Sequence, residues 1–145
     1  MRNPRMVFLV SWFVSLVLFL SIPIKRVHPE LIEYYKNFMV LVKQECPKIE
    51  PPRQLILEVG VLSDNNIGVC YYYTVKRNIV VDKFYWETAT HQQRKQLMYH
   101  ELSHCVLNKD HVQSELDYMN PYATEVSDEE LIRQVKENAV SFCNE

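Results

Sequence analysis

The stretch His100-Glu101-Leu102-Ser103-His104 sets two imidazoles four residues apart, with a carboxylate beside the first. On an α-helix, residues four apart lie one turn up on nearly the same face, so His100 and His104 can grip one metal ion from the same side. Imidazole nitrogen suits zinc, and two such ligands leave positions for a third protein ligand and a water. Glu101 sits about 100° round the helix from His100, where its longer side chain can reach that water without displacing it. Zinc lowers the pKa of such a water to about 7, so a carboxylate can take its proton at neutral pH and pass it to a leaving amine. The chemistry implied is hydrolysis of a peptide bond.

Such a motif needs a helix beneath it. Thr90-His91-Gln92-Gln93 is a capping box, with Thr90 as cap and Gln93 reaching back, and nothing from His91 to Leu107 breaks a helix. Leu102, Cys105 and Val106 can then meet a core. Upstream, a helix is expected over His28–Glu45, opened by Pro29 and burying a stripe of Leu31, Tyr35, Phe38 and Val42. Pro47, Pro51 and Pro52 end it. Alternation of Leu55, Leu57, Val59 and Val61 with their neighbours predicts a strand. Ser63–Asn66 reads as a turn, and Val69–Thr74 with Asn78–Val81 as a hairpin joined by Val75-Lys76-Arg77. Ser127-Asp128-Glu129-Glu130 is a second capping box, opening a last helix whose buried stripe is Leu131, Val135, Ala139 and Phe142. Helix, small sheet, motif helix, turn segment and helix together predict an α+β fold.

HELSHC on the motif helix, a histidine soon after its end, and then Tyr118-Met119-Asn120-Pro121-Tyr122 resemble the zincin metallopeptidases of the metzincin type. More closely, VVDKFYW, HELSHCVLNKDH and YMNPY are similar to small uncharacterised metallopeptidases of bacteria and phages. The resemblance covers about residues 79–120 well. It implies a zincin-like domain: a small mixed or antiparallel sheet, an active-site helix, a methionine-containing turn carrying Met119, and a C-terminal helix. It also implies a zinc cofactor and a peptide or protein substrate. In that family the motif helix ends at a glycine, and a histidine three residues later reaches the metal.

Strict counting puts Leu107 at the glycine position and Asp110 at the third-ligand position. A shift of one residue matches Asn108 to the glycine and His111 to the histidine. The helix must end in a left-handed residue, for which Asn is the best choice after glycine and Leu would be strained. His111 is therefore the favoured third ligand, with Asp110 the alternative. Glu129 or Glu130 is a further candidate, of the gluzincin kind. Tyr122 or Tyr118, flanking Met119, is a weaker candidate for stabilising an oxyanion, and a structural role for a buried tyrosine competes with it.

The 145 residues carry a formal net charge of −2, which offers no basic footprint for nucleic acid. Met6–Ile24 is free of charge, follows Arg2 and Arg5, and precedes Lys25 and Arg26. It is long enough to span a bilayer and is expected to be an uncleaved anchor, a cleaved signal peptide being the alternative. The chain then divides into a membrane segment, residues 1–26, and one domain, residues 27–145. That domain would face the periplasm or cell exterior, or be secreted if cleavage occurs. Cys46, Cys70, Cys105 and Cys143 all follow the segment, as expected for an oxidising compartment. Pairing of Cys70 with Cys105 and of Cys46 with Cys143 is plausible, and all three connectivities are open. Two other functions compete: a membrane-tethered accessory domain with a closed structural zinc site, its fourth ligand a cysteine such as Cys105 or Cys46, and a zinc amidase acting on cell-wall peptides.

Overall fold

The computed structural model describes residues 25–122 and 125–145. The expected membrane segment Met6–Ile24 lies outside them, and among the described residues no helix is long and apolar enough to cross a membrane. The chain enters a short strand β1 (Lys25–Val27), makes a 3-10 turn at Pro29–Leu31, and forms helix α1 (Ile32–Glu45). Strands β2 (Leu55–Gly60), β3 (Gly68–Tyr72) and β4 (Arg77–Asp82) follow, then α2 (Lys83–Thr88), α3 (His91–Leu107) and α4 (Asp128–Asn144).

The four strands form one mixed sheet in the order β1-β2-β4-β3. β1 and β4 run parallel to β2, and β3 pairs antiparallel with β4, leaving β3 on an edge. α1 is the crossover that lets β2 return parallel to β1. Period-two alternation turns Leu55 and Leu57 of β2, with Ile79 and Val81 of β4, into the core. There they meet Phe38 and Val42 of α1, Met98 and Leu102 of α3, and Leu131 and Val135 of α4. The structure is thus α+β with a small mixed sheet.

Several local expectations shift. The first helix begins as a 3-10 turn, and its buried stripe takes in Tyr34 and Met39, whereas Tyr35 is only half-buried. The first long strand stops at Gly60, leaving Val61 88% exposed. Just beyond, where the pairing with β4 has ended, the Leu62 N–H donates to the Asp82 carboxylate at 3.2 Å. β1 and α2 are unanticipated. β1 is too short to show a period, while α2 has a legible start, because the Asp82 carboxylate accepts from the Tyr85 N–H at 3.0 Å as an N-cap. The Thr90–Gln93 box forms in both directions. At the other box, Ser127 accepts from the Glu130 N–H, but the Glu130 carboxylate is taken up by Arg133 and Gln134.

Two disulfides complete the frame. Cys46–Cys143 ties the end of α1 to the end of α4, and Cys70–Cys105 ties the edge strand β3 to the motif helix α3.

Candidate metal centre

α3 presents His100 and His104 one turn apart, as the spacing requires. The helix then stops abruptly. Asn108 adopts a left-handed conformation, φ 50° and ψ 32°, and the Lys109 N–H turns back to the Ser103 carbonyl at 3.1 Å. This reversal brings His111 over the motif. His100 Nε2 lies 3.0 Å from His104 Nε2 and 3.2 Å from His111 Nε2. The three imidazoles form a group whose ligand atoms all fall within 4.8 Å of one another. Asp110 is exposed and outside that group, although its charge acts on His104. Glu129 and Glu130 sit in the first turn of α4, the latter held by Arg133 and Gln134.

The hydrogen bonds behind the imidazoles decide what the cluster can hold. His100 Nδ1 meets the Tyr118 carbonyl at 2.8 Å, and His104 Nδ1 meets the Lys109 carbonyl. A carbonyl oxygen only accepts, so each Nδ1 carries the proton and each Nε2 presents a bare lone pair. Burial, reinforced by the neighbouring imidazoles, lowers the pKa of both rings, that of His100 to about 4, so they stay neutral. Two lone pairs facing each other at 3.0 Å repel, and a cation between them removes the repulsion. Around a tetrahedral zinc ion, ligand nitrogens stand about 3.3 Å apart, so the observed spacings need little adjustment.

Glu101 is 4% exposed beside this cluster. Burial pushes its carboxyl up to about 8, and a hydrogen bond from the Cys70 backbone N–H opposes that rise. The carboxylate thus touches the edge strand, and the approach depends on Gly68. A β-carbon there would stand 2.7 Å from Glu101 Oε1 and 2.8 Å from Leu97 Cδ1.

The turn that carries Tyr118 and Met119, both fully buried, reaches the cluster through the Tyr118 carbonyl on His100. Its shape is set by hydrogen bonds. Asp117 Oδ1 accepts from the Met119 N–H at 2.8 Å, the Met119 carbonyl accepts from the Val112 N–H, and Gln134 of α4 accepts from the Tyr118 N–H at 3.0 Å. The Tyr118 hydroxyl lies 2.7 Å from Ser103 Oγ and accepts from Asn138 at 2.8 Å, while burial pushes the phenol up to about 12. Tyr118 is therefore a structural support. Tyr122 is 75% exposed and lines a cavity of about 390 Å³ together with His100, Glu101 and His111.

Sequence reasoning missed the supports that are backbone atoms, namely the Tyr118 and Lys109 carbonyls and the Cys70 N–H, because any residue type supplies them. It also missed Gly68 and Gln134. Gly68 did leave a signal, being one of only two glycines in the chain.

Residues 66–129 match the model of a family described as "Putative phage metallopeptidase". The matched span runs from the loop before β3 into the first turn of α4, so it contains all three histidines and Glu101. No curated protein matches the chain, and no solved structure does. The likeness to this family and the three-histidine cluster together support a metallopeptidase-like protein with a site compatible with a metal ion.

Proposed function

We propose that the protein is a zinc-dependent peptidase of zincin type, with His100, His104 and His111 as metal ligands and Glu101 as general base. The observation that carries this reading is the convergence of three imidazole Nε2 atoms beside a buried carboxylate that lines the same cavity. A zinc ion held there supplies Lewis acidity, which acidifies a water and polarises a substrate carbonyl. The Glu101 carboxyl, raised to about 8 in the metal-free protein, is drawn to the ionised form by the charge of the bound cation. Glu101 then takes the water's proton as the water oxygen attacks the carbonyl carbon, and delivers that proton to the departing amine. Its burial and its hydrogen bond from Cys70 hold the carboxylate in one orientation through both transfers. Three protein ligands leave one position for water or substrate, as in catalytic zinc sites. The free edge of β3 offers backbone groups to an extended peptide laid alongside the helix.

The alternative of a closed structural site loses its named donors, because Cys46 and Cys105 are both engaged in disulfides. Glu101→Gln keeps the shape of the side chain and removes the base. The variant is expected to bind one zinc ion per chain and to lose hydrolysis of a peptide library. Cell-wall fragments tested in parallel report whether the scissile amide belongs to a protein or to a peptidoglycan cross-link. Hydrolysis at the wild-type rate by Glu101→Gln overturns the mechanism.

A further inference from the structure

The three parallel strands all begin at one edge of the sheet, and the chain arrives there directly from the uncharged stretch Met6–Ile24. Lys25, the next residue, opens β1 and pairs with Leu55, which pairs with Arg77, which in turn pairs with Tyr72 at the end of β3. From β1 to β3 this edge extends about 14 Å. Four basic residues mark it: Arg26 and Arg53, both exposed, with Lys76 and Arg77. Between them project Tyr71 and Tyr73, 39% and 46% exposed, and Val75, 68% exposed at the tip of the β3–β4 hairpin.

The arrangement within the hairpin holds this composition in place. Arg26, Ile56, Asn78 and Tyr71 form one register row on the sheet face away from the core. Tyr71 and Tyr73 lie with ring centroids 6.3 Å apart, and the Lys76 ammonium stands 4.6 Å over the Tyr73 ring. Tyr72 turns the other way, its hydroxyl donating to the His104 carbonyl, so it belongs to the metal site. None of the four basic residues forms an ion pair among the described residues. The carboxylates nearest in sequence are engaged elsewhere: Glu30 accepts from the Trp86 indole, Glu58 from the Asn78 amide and Asp82 from the Tyr85 N–H, while Glu50 acts on Tyr35.

We propose that this edge lies on a bilayer surface containing anionic lipid, with Arg26, Arg53 and Lys76 against the headgroups and Tyr73 and Val75 at the interface. The proposal rests on Met6–Ile24 entering the membrane and is independent of the peptidase reading. A bilayer that holds Ile24 comes within a residue of Lys25, so the edge is already at its surface. Basic side chains are drawn to anionic lipid, and tyrosine favours the interfacial region, so the edge settles in preference to the acidic remainder. The metal site then stands above the membrane, with Tyr72 linking the seated hairpin to the helix that carries His104.

The test uses the full chain in vesicles of phosphatidylcholine with phosphatidylglycerol, doped with a gadolinium-chelate lipid. The cysteines are all disulfide-bonded, so a nitroxide attaches selectively to Val75→Cys or, as a control, to Val61→Cys at the opposite end of the sheet. The two positions are about 20 Å apart along the strands, and relaxation at position 75 is expected to be at least about threefold faster than at 61. That difference should shrink to what the tether at Lys25 alone imposes, both in phosphatidylcholine alone and in an Arg53→Glu/Lys76→Glu background. Equal relaxation at both positions in anionic vesicles overturns the docking, and a difference undiminished by charge reversal overturns the role of the basic residues. Protein that does not float with the vesicles overturns the membrane entry on which the proposal rests, whatever its hydrolytic activity.

Discussion

The Glu101 carboxylate approaches Gly68 so closely that a β-carbon on Gly68 would stand 2.7 Å from its Oε1. No left-handed backbone conformation requires glycine at this position, so the constraint is space alone. Gly68→Ala should displace the carboxylate while leaving the three imidazoles in place. We expect zinc to be retained and kcat to fall about 10- to 100-fold, since a misplacement of about 1 Å is enough for such a loss. Metal analysis and steady-state kinetics on the same preparation check this. An unchanged kcat would mean that Glu101 does not act from the position seen here.

Asn108 is the pivot that carries His111 back to the helix, and its φ of 50° tolerates few side chains. Asn108→Gly should be nearly neutral. Asn108→Leu should cost about 1–2 kcal/mol of stability, because its β-carbon crowds the following carbonyl in that conformation. It should also weaken zinc binding about tenfold by loosening the third ligand. Denaturant unfolding of the metal-free protein and zinc titration measure the two effects separately. Equal behaviour of the Gly and Leu variants would contradict the pivot.

In the metal-free protein the site titrates in a predictable direction. The Glu101 carboxyl, raised by burial from 4.5 to about 8, contributes stability that is fully present below about 4.5 and lost as pH rises through 8. His100, lowered by burial from 6.5 to about 4, contributes stability that is fully present above 6.5 and lost as pH falls through 4. His104 shifts in the same direction as His100. Between about pH 6.5 and 8 the Glu101 contribution therefore changes with no offset from these two rings. Metal-free wild type should lose thermal stability across that window, and Glu101→Gln should not. Parallel melting curves for the two proteins would refute the assignment.

Much of this was legible in the sequence where one residue's chemistry decides one local outcome. Thr90 and Gln93 can do little at a helix start except cap it, and Asn108 was the best residue near the helix end to turn left-handed. Four apolar residues with a period of two marked β2, but the period did not show where the strand would stop. Where the pairing with β4 ends, the Leu62 N–H turns instead to Asp82, twenty residues away, a partner the local sequence does not name. β1 was hidden because three residues paired through backbone groups carry no pattern of their own. The same limit applied to the site. His100, Glu101, His104 and His111 announce themselves by type and spacing, whereas the carbonyls of Tyr118 and Lys109 that orient two of the rings are supplied by tertiary structure.

We infer that His111, delivered by the left-handed turn at Asn108, completes a three-histidine zinc site with His100 and His104. Zinc content of the purified protein, measured beside His111→Ala and Asp110→Ala, tests it most directly. Wild type and Asp110→Ala should each hold one zinc ion per chain, with His111→Ala losing most of it. Zinc kept by His111→Ala and lost by Asp110→Ala would contradict the account.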